Sequence, residues 1–212
     1  MFWTFVFIRR HARIFASLAW WIEKCGGGVA ALKYQTGDYN ALCQTIIALM
    51  TYIDYDSTFM YKCISILFDY TLAASSALFI SKITKNKIFE IQFNIIYGAV
   101  LFLPTVLLNS SCWGQCDSIY TTFLILTLFF IYDEKYVCAF IMLGLGFAFK
   151  LQMIFIVPFI ISYYFCTQKF SILHISISII IFWLTGIITF INGRNLLAPF
   201  TIYASQTITY EH

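Results

Sequence analysis

The apolar run over residues 59–80 limits what this chain can fold into more than any other feature. A helix needs about 20 apolar residues to cross the hydrocarbon core of a bilayer, and this run is long enough. The chain of 212 residues is 61% hydrophobic and 11% charged, a composition typical of membrane proteins rather than of soluble domains. The sequence therefore predicts an all-α, polytopic membrane protein.

Further apolar runs lead us to expect about six transmembrane helices in all. Besides residues 59–80, these runs cover residues 88–108, 119–132, 137–149, 153–166 and 172–191. The short connection at residues 81–87 contains three lysines, and short lysine-rich loops mark the cytoplasmic side. The order of the runs then places residues 109–118, residues 150–152 and the tail from residue 192 on the outer face.

The N-terminal part predicts interfacial helices rather than crossings. Residues 1–24 begin with an apolar stretch that is too short to span, and Trp20 and Trp21 are expected at the level of the lipid headgroups. Residues 41–53 are also short for a span, which keeps the preceding loop with Asp38 on the outer face. The sequence thus predicts an outer-face loop with interfacial helices at 1–58, a transmembrane helical bundle at 59–192 and an outer-face tail at 193–212.

The polar segment at residues 109–118 lies between two apolar runs and contains Trp113, Gln115 and Asp117. A carboxylate at a membrane boundary is costly unless it faces a polar cavity or a partner, so Asp117 is a candidate site residue. The alternative is a plain interfacial turn, in which Trp113 is an anchor and Asp117 the N-cap of the next helix.

The outer face collects side chains that suit group transfer from a phosphate. A carboxylate such as Asp38 can act as a general base toward a hydroxyl. Lys150 can hold a phosphate by its charge, although a lysine at a helix end is also a common snorkelling anchor. Glutamine and tryptophan suit sugar recognition, through amide hydrogen bonds and ring stacking.

Asp69 is an acid deep inside the first long apolar run. It must be neutral, paired or turned toward other helices. We interpret it as a helix–helix hydrogen bond, with a functional polar contact inside the bundle as the alternative.

Other classes of function find no support in the sequence. A net charge of +3 is too small to indicate nucleic-acid binding, and the three histidines lie far apart, so we expect no metal site. Neither a nucleophile–base pair nor a glycine-rich phosphate loop is present. No cofactor is implied, and a disulfide between Cys112 and Cys116 stays open.

The run LNSSCWGQCDSIYTTFLILTLFFIYDEK resembles the signature of bacterial integral-membrane proteins related to mannosyltransferases. These are similar to the second mannosyltransferase of GPI-anchor synthesis and belong to the GT-C class of glycosyltransferases. The resemblance extends over nearly all of residues 15–210, through the segments AWWIEKCGGGVAALKYQTGDYN, YKCISILFDYTLA, FAFKLQMIFIVPF and PFTIYASQTITY.

The resemblance implies a GT-C-like, multi-pass protein of the bacterial inner (plasma) membrane. Its implied activity is the transfer of a sugar from a polyprenyl-phosphate-linked donor to a glycan or lipid acceptor at the outer face. The partners are then the donor, the acceptor and membrane lipids, with no nucleic acid. The implied catalytic residues are Asp38 and Asp117, and the implied substrate-binding residues are Trp113, Gln115, Lys150 and Gln152.

Some positions depart from the family pattern. No acid precedes Glu23, Ala19 stands where the family has proline, and the usual Asn-Pro-Pro-Tyr is replaced from Asn40 onward by Asn-Ala-Leu-Cys. The start is also too short for the family's first crossing helix, and the sequence stops where family members continue through more helices. We therefore expect a chain truncated at both ends, either an internal fragment of an enzyme or a decayed copy, and an inactive fragment is one of the outcomes. The alternative function is a non-enzymatic membrane transporter or scaffold subunit, in which Asp69 and Glu90 belong to a polar pathway.

Overall fold

The computed structural model describes residues 19–35, 37, 39–84, 89–108, 115 and 117–209. Within these ranges every regular element is a helix and there is no strand. The prediction of an all-α protein is therefore confirmed for the part of the chain that the structure describes.

A helical stretch at residues 19–24 precedes the named elements. In chain order these are η1 Gly28–Lys33, α1 Ala41–Met50, α2 Ser57–Thr84, α3 Phe89–Leu101, α4 Pro104–Leu107, α5 Asp117–Tyr132, α6 Tyr136–Phe149, η2 Leu151–Ile156, α7 Val157–Thr167, α8 Leu173–Leu184, α9 Ile187–Ile191 and α10 Ala198–Thr209.

The longer helices pack side by side in the order α3, α2, α5, α6 and α8. Helices α2 and α5 run in the same direction, because Asp69 contacts Ser118 at the start of α5 and Lys82 contacts Asp133 just beyond its end. Helix α6 returns antiparallel to α5 after a tight turn. The bundle thus has two ends, which we call the Asp117 end and the Asp133 end.

Three connections meet at the Asp133 end through ion pairs. Asp133 contacts Lys82 and lies 3.3 Å from the ammonium of Lys135, and the Lys169 ammonium lies 2.5 Å from Glu134. The order of the apolar runs predicts that residues 81–87, 133–135 and 167–169 all lie on the cytoplasmic side. The contacts join Lys82, in the last turn of α2, to Asp133, and Lys169 to Glu134, whereas the membrane side stays a prediction. The hydrogen bond from Lys82 holds the pKa of Asp133 below its ordinary value of 3.8, against the opposing effect of burial.

The Asp117 end is closed by η1 and α1. A cluster of buried residues joins Ile47 and Ala48 of α1 with Tyr61, Ile119 and Phe149 at the ends of α2, α5 and α6. Helix α1 has ten residues and packs against η1, α2 and α6 at this end. That residues 41–53 do not form a crossing stays a prediction, as do the membrane sides of the three predicted parts.

By length and composition, one helix of the described residues is sufficient to span a membrane, namely α2 with its apolar stretch Phe59–Thr84. The other apolar helices are shorter, with lengths of 10–17 residues. Among the described residues the structure thus shows one helix of spanning length, and the expectation of about six transmembrane helices stays a prediction.

Proline and close packing explain why the other apolar runs are divided. Pro104 begins α4 after an extended Leu103, because proline restricts the residue before it and donates no hydrogen bond. Gly186 separates α8 from α9, and a Cβ atom there would lie 2.7 Å from the Phe190 ring and 3.0 Å from Pro199. The apolar pattern alone does not predict these interruptions of the helices.

Candidate functional site

Asp117 and Lys150 meet at the Asp117 end of the bundle. Asp117 is the first residue of α5, and Lys150 directly follows α6. The Lys150 ammonium donates to a carboxylate oxygen of Asp117, and 26% of each side chain is exposed. The ion pair is therefore accessible, and a charge-assisted hydrogen bond of this kind is stronger than a neutral one.

The local sequence explains this meeting. Helices α5 and α6 form an antiparallel hairpin whose turn includes Glu134, a residue with a positive φ of 59°. Helix α6 ends at Phe149 because Lys150 is extended, with φ −153° and ψ 135°. A negative charge at a helix N-terminus and a positive charge at a helix C-terminus both interact favourably with the helix dipole, so Asp117 and Lys150 each suit their position.

Neighbouring side chains support the pair. The Lys150 ammonium lies 5.5 Å from the centre of the Tyr120 ring, within the range of a cation–π contact. Ser118 donates to the buried carboxylate of Asp69 on α2. The helix–helix hydrogen bond expected for Asp69 is thus present, next to the site.

The remaining predicted site residues have different outcomes. Gln115 is half-buried and lies two residues before the start of α5, and Gln152 is exposed on η2. Asp38 and Trp113 lie outside the described residues, as do Cys112 and Cys116. The structure therefore brings Asp117 and Lys150 into contact and leaves the roles of Asp38 and Trp113 as predictions.

An apolar cavity of about 410 Å³ lies within the helical bundle. It lies between α6, α7, α8 and α10, and Leu151, the residue after Lys150, is part of its wall. Two polar side chains in the wall are already bonded: Ser178 donates to the Phe140 carbonyl at 2.9 Å and Tyr203 to the Phe147 carbonyl at 2.5 Å. The cavity therefore suits an apolar group.

A second polar cluster, also beyond the predicted site residues, surrounds Arg194. This side chain is 9% exposed, and it donates to Gln35, to Gln44 and to the Tyr34 carbonyl. Burial lowers the pKa of the guanidinium from its ordinary value, yet arginine stays protonated at neutral pH. The cluster joins the segment before α1 to the connection between α9 and α10.

Sequence reasoning missed Ser118, Tyr120 and Arg194 as members of these clusters. Ser118 had one available signal, namely its position beside Asp117 in a polar segment. Arg194 is expected on the outer face from the order of the apolar runs, but its partners Gln35 and Gln44 are not predicted, and Tyr120 has no signal, since these contacts join elements that are distant in the chain.

Comparison of the chain with protein-family models, with curated proteins and with solved structures gives no match.

Proposed function

We propose that this protein is a GT-C-type glycosyltransferase of the membrane, or an inactive fragment of one. It would move a sugar, mannose by resemblance, from a polyprenyl-phosphate donor to a glycan or lipid acceptor. The observation that carries the proposal is the contact between Asp117 and Lys150 at one end of the bundle. A carboxylate and a cation side by side are the two charges that transfer from a phosphate requires.

In the proposed reaction, the carboxylate and the cation act on different atoms. The acceptor hydroxyl oxygen forms a bond to the anomeric carbon, the bond from that carbon to the phosphate oxygen breaks, and the hydroxyl proton passes to a carboxylate. Asp38 and Asp117 are the carboxylates that the resemblance assigns to this step. Lys150 offers positive charge to the departing lipid phosphate.

The apolar cavity supports a lipid-linked donor. Its wall includes Leu151, the residue that follows Lys150 in the chain, and it extends along α6, α7 and α8. Cavities that bind ligands commonly have volumes of about 300–1,000 Å³ and are lined by apolar side chains. A molecule with a charged head and an apolar chain would fit this combination.

The proposal includes a multi-pass arrangement in the membrane, although most helices here are short. Consecutive short helices follow one another in three places, namely α3 with α4, η2 with α7 and α8 with α9. Each such pair is a candidate for one broken crossing, because irregular backbone is tolerated at membrane depth when it is buried in protein. The Asp117 end would then be the outer face.

Cysteine labelling tests this arrangement. In a variant whose seven native cysteines are replaced, single cysteines are introduced as Gln152→Cys and Gln168→Cys, both at exposed positions. We expect a membrane-impermeant thiol reagent to label the first in intact cells and the second only after the membrane is opened. Labelling of both from the same side would contradict the crossing by η2 and α7.

A transfer assay tests the activity. Membranes that contain the full chain are given a radiolabelled polyprenyl-phosphate mannose, and transfer into lipid or glycan is measured. We expect Asp117→Asn and Lys150→Ala to lower the rate about 100-fold or more, since each removes a charge that acts in the transition state. Lys24→Ala, which alters an exposed lysine packed on Trp20, is the matched control.

Two results would count against the enzyme. Unchanged transfer in both site variants would remove Asp117 and Lys150 from the mechanism. Saturable binding of the lipid without transfer by the unaltered chain would instead favour an inactive fragment or a transporter or scaffold subunit.

A further inference from the structure

We infer that Asp69 is a positioning residue that holds the Asp117–Lys150 pair in place through Ser118, a role whose meaning for sugar transfer rests on the proposed function. Asp69 lies in the middle of α2 and is 4% exposed, and Ser118 is 3% exposed. The Ser118 hydroxyl donates to a carboxylate oxygen of Asp69. Breaking this bond would remove a donor from a buried carboxylate, which is costly.

The contact reaches the site because Ser118 adjoins Asp117 in the first turn of α5. One turn further on, the Thr122 hydroxyl bonds the Ser118 carbonyl of its own helix at 2.6 Å and lies 3.4 Å from the Phe68 carbonyl of α2. The first turn of α5 is therefore held to α2 by Ser118, with Thr122 packed on the neighbouring residue of α2. This fixes where the Asp117 carboxylate can lie.

Phe68, the residue before Asp69 on α2, also contacts the Lys150 side of the ion pair. The ring of Phe68 lies 6.4 Å from that of Phe149, the residue before Lys150. Phe149 in turn stacks on Phe123 of α5 at 5.7 Å. Phe68 and Asp69 thus contact the chain neighbours of both Asp117 and Lys150, so α2 sets the distance between the two charges.

The chemistry of the contact predicts which substitutions preserve it. A serine hydroxyl needs an acceptor, and the amide oxygen of asparagine supplies one at the same position. Asp69→Asn should therefore keep the arrangement, whereas Asp69→Leu keeps the volume and removes the acceptor. Ser118→Ala removes the hydroxyl donor on α5 and is a smaller change of the side chain than Asp69→Leu.

Amine modification in membranes measures the pair without any need for activity. The full chain is treated with an acylating reagent, and mass spectrometry gives the modified fraction of Lys150, with Lys82 at the opposite end as internal reference. We expect Asp117→Asn, Asp69→Leu and Ser118→Ala to raise the Lys150 modification rate about fivefold, because an amine held by a carboxylate reacts slowly. Asp69→Asn should match the unaltered chain.

Ser75→Ala is the control, since this buried serine on α2 bonds within its own turn, to the Leu72 carbonyl at 3.0 Å. It should leave Lys150 unchanged. If Asp69→Leu also raises modification of Lys82, the helix bundle as a whole has loosened, and Ser118→Ala then decides the matter.

The inference is wrong if Asp117→Asn raises the modification of Lys150 and Ser118→Ala does not. It is also wrong if Asp69→Asn behaves like Asp69→Leu, because the contact would then depend on charge rather than on an acceptor. If modification follows the expected pattern but the unaltered chain transfers no sugar, the proposed function fails and the positioning role stands.

Discussion

At the residue scale, the acids of the helical bundle accept hydrogen bonds from specific side chains. Asp69 accepts from a serine, Asp117 from Lys150 and Asp133 from Lys82. Each contact joins two different helices or their connections. Charged groups in an apolar protein are stabilised by such partners, because removal from water is costly.

The ion pair of Asp133 predicts a pH dependence of stability. The pKa of this carboxyl is lowered in the folded state by Lys82, so its stabilising contribution is complete above the ordinary pKa and is lost as the pH falls toward the lowered one. We expect the folded chain in detergent to lose stability between about pH 5 and pH 2 more steeply than Asp133→Asn does. Thermal unfolding at each pH measures this.

The exposed Asp54 provides the comparison for that experiment. Asp54→Asn should follow the pH profile of the unaltered chain. If the profiles of the unaltered chain and Asp133→Asn run parallel, the contact with Lys82 contributes nothing to folding.

The sequence predicts Asp117 and Lys150 as candidates, because each is a polar residue at the edge of an apolar run. Their contact with each other could not be predicted, since it depends on how the α5–α6 hairpin closes. Asp69 shows the same limit. Its depth in an apolar run predicts a partner on another helix but does not identify Ser118 as that partner.

At the element scale, close packing determines where the helices approach each other and where they are interrupted, which their apolar pattern does not show. Helix α6 approaches α8 so closely at Gly144 that a Cβ atom there would lie 2.6 Å from the Ser178 carbonyl oxygen. Glycine at this position is therefore required by the backbone of the neighbouring helix. The pattern of apolar residues correctly predicts that these segments are helical and fails at their interruptions, which arise from Pro104 and Gly186.

Two alanine substitutions test this close approach. Gly144→Ala should destabilise the folded chain by about 1–3 kcal/mol, because a backbone carbonyl cannot give way cheaply. Gly98→Ala on α3 is the control, since no atom lies within 4 Å of the added Cβ atom. It should be neutral or stabilise by up to about 1 kcal/mol, in line with helix propensity. Thermal unfolding of purified protein in detergent gives both values, and equal effects would contradict the packing argument.

At the scale of the whole molecule, Arg194 connects distant parts of the chain. Its guanidinium binds Gln35 and Gln44 before and within α1, and Asn40 adds a hydrogen bond of 3.4 Å to the Pro199 carbonyl. The Asp117 end is thus closed by residues from both ends of the described chain. Sequence could not predict this, because arginine and glutamine in loops are ordinarily solvated.

Replacement of Arg194 should release this closure. We expect Arg194→Met to speed protease cleavage within residues 33–40 about tenfold, because the loss of a buried, multiply bonded cation leaves Gln35 and Gln44 without their donor. Limited proteolysis in detergent, followed by mass spectrometry, measures the rate. Lys33→Ala, an exposed cation in the same segment, should leave the rate unchanged, and equal rates in all three proteins would refute the connecting role.

Helix α2 is clamped to α5 at two levels, by Ser118 near the Asp117 end and by Asp133 at the opposite end. These two parallel helices cannot slide past each other unless both contacts break. A force applied at the Asp133 end would therefore displace α2 and α5 together.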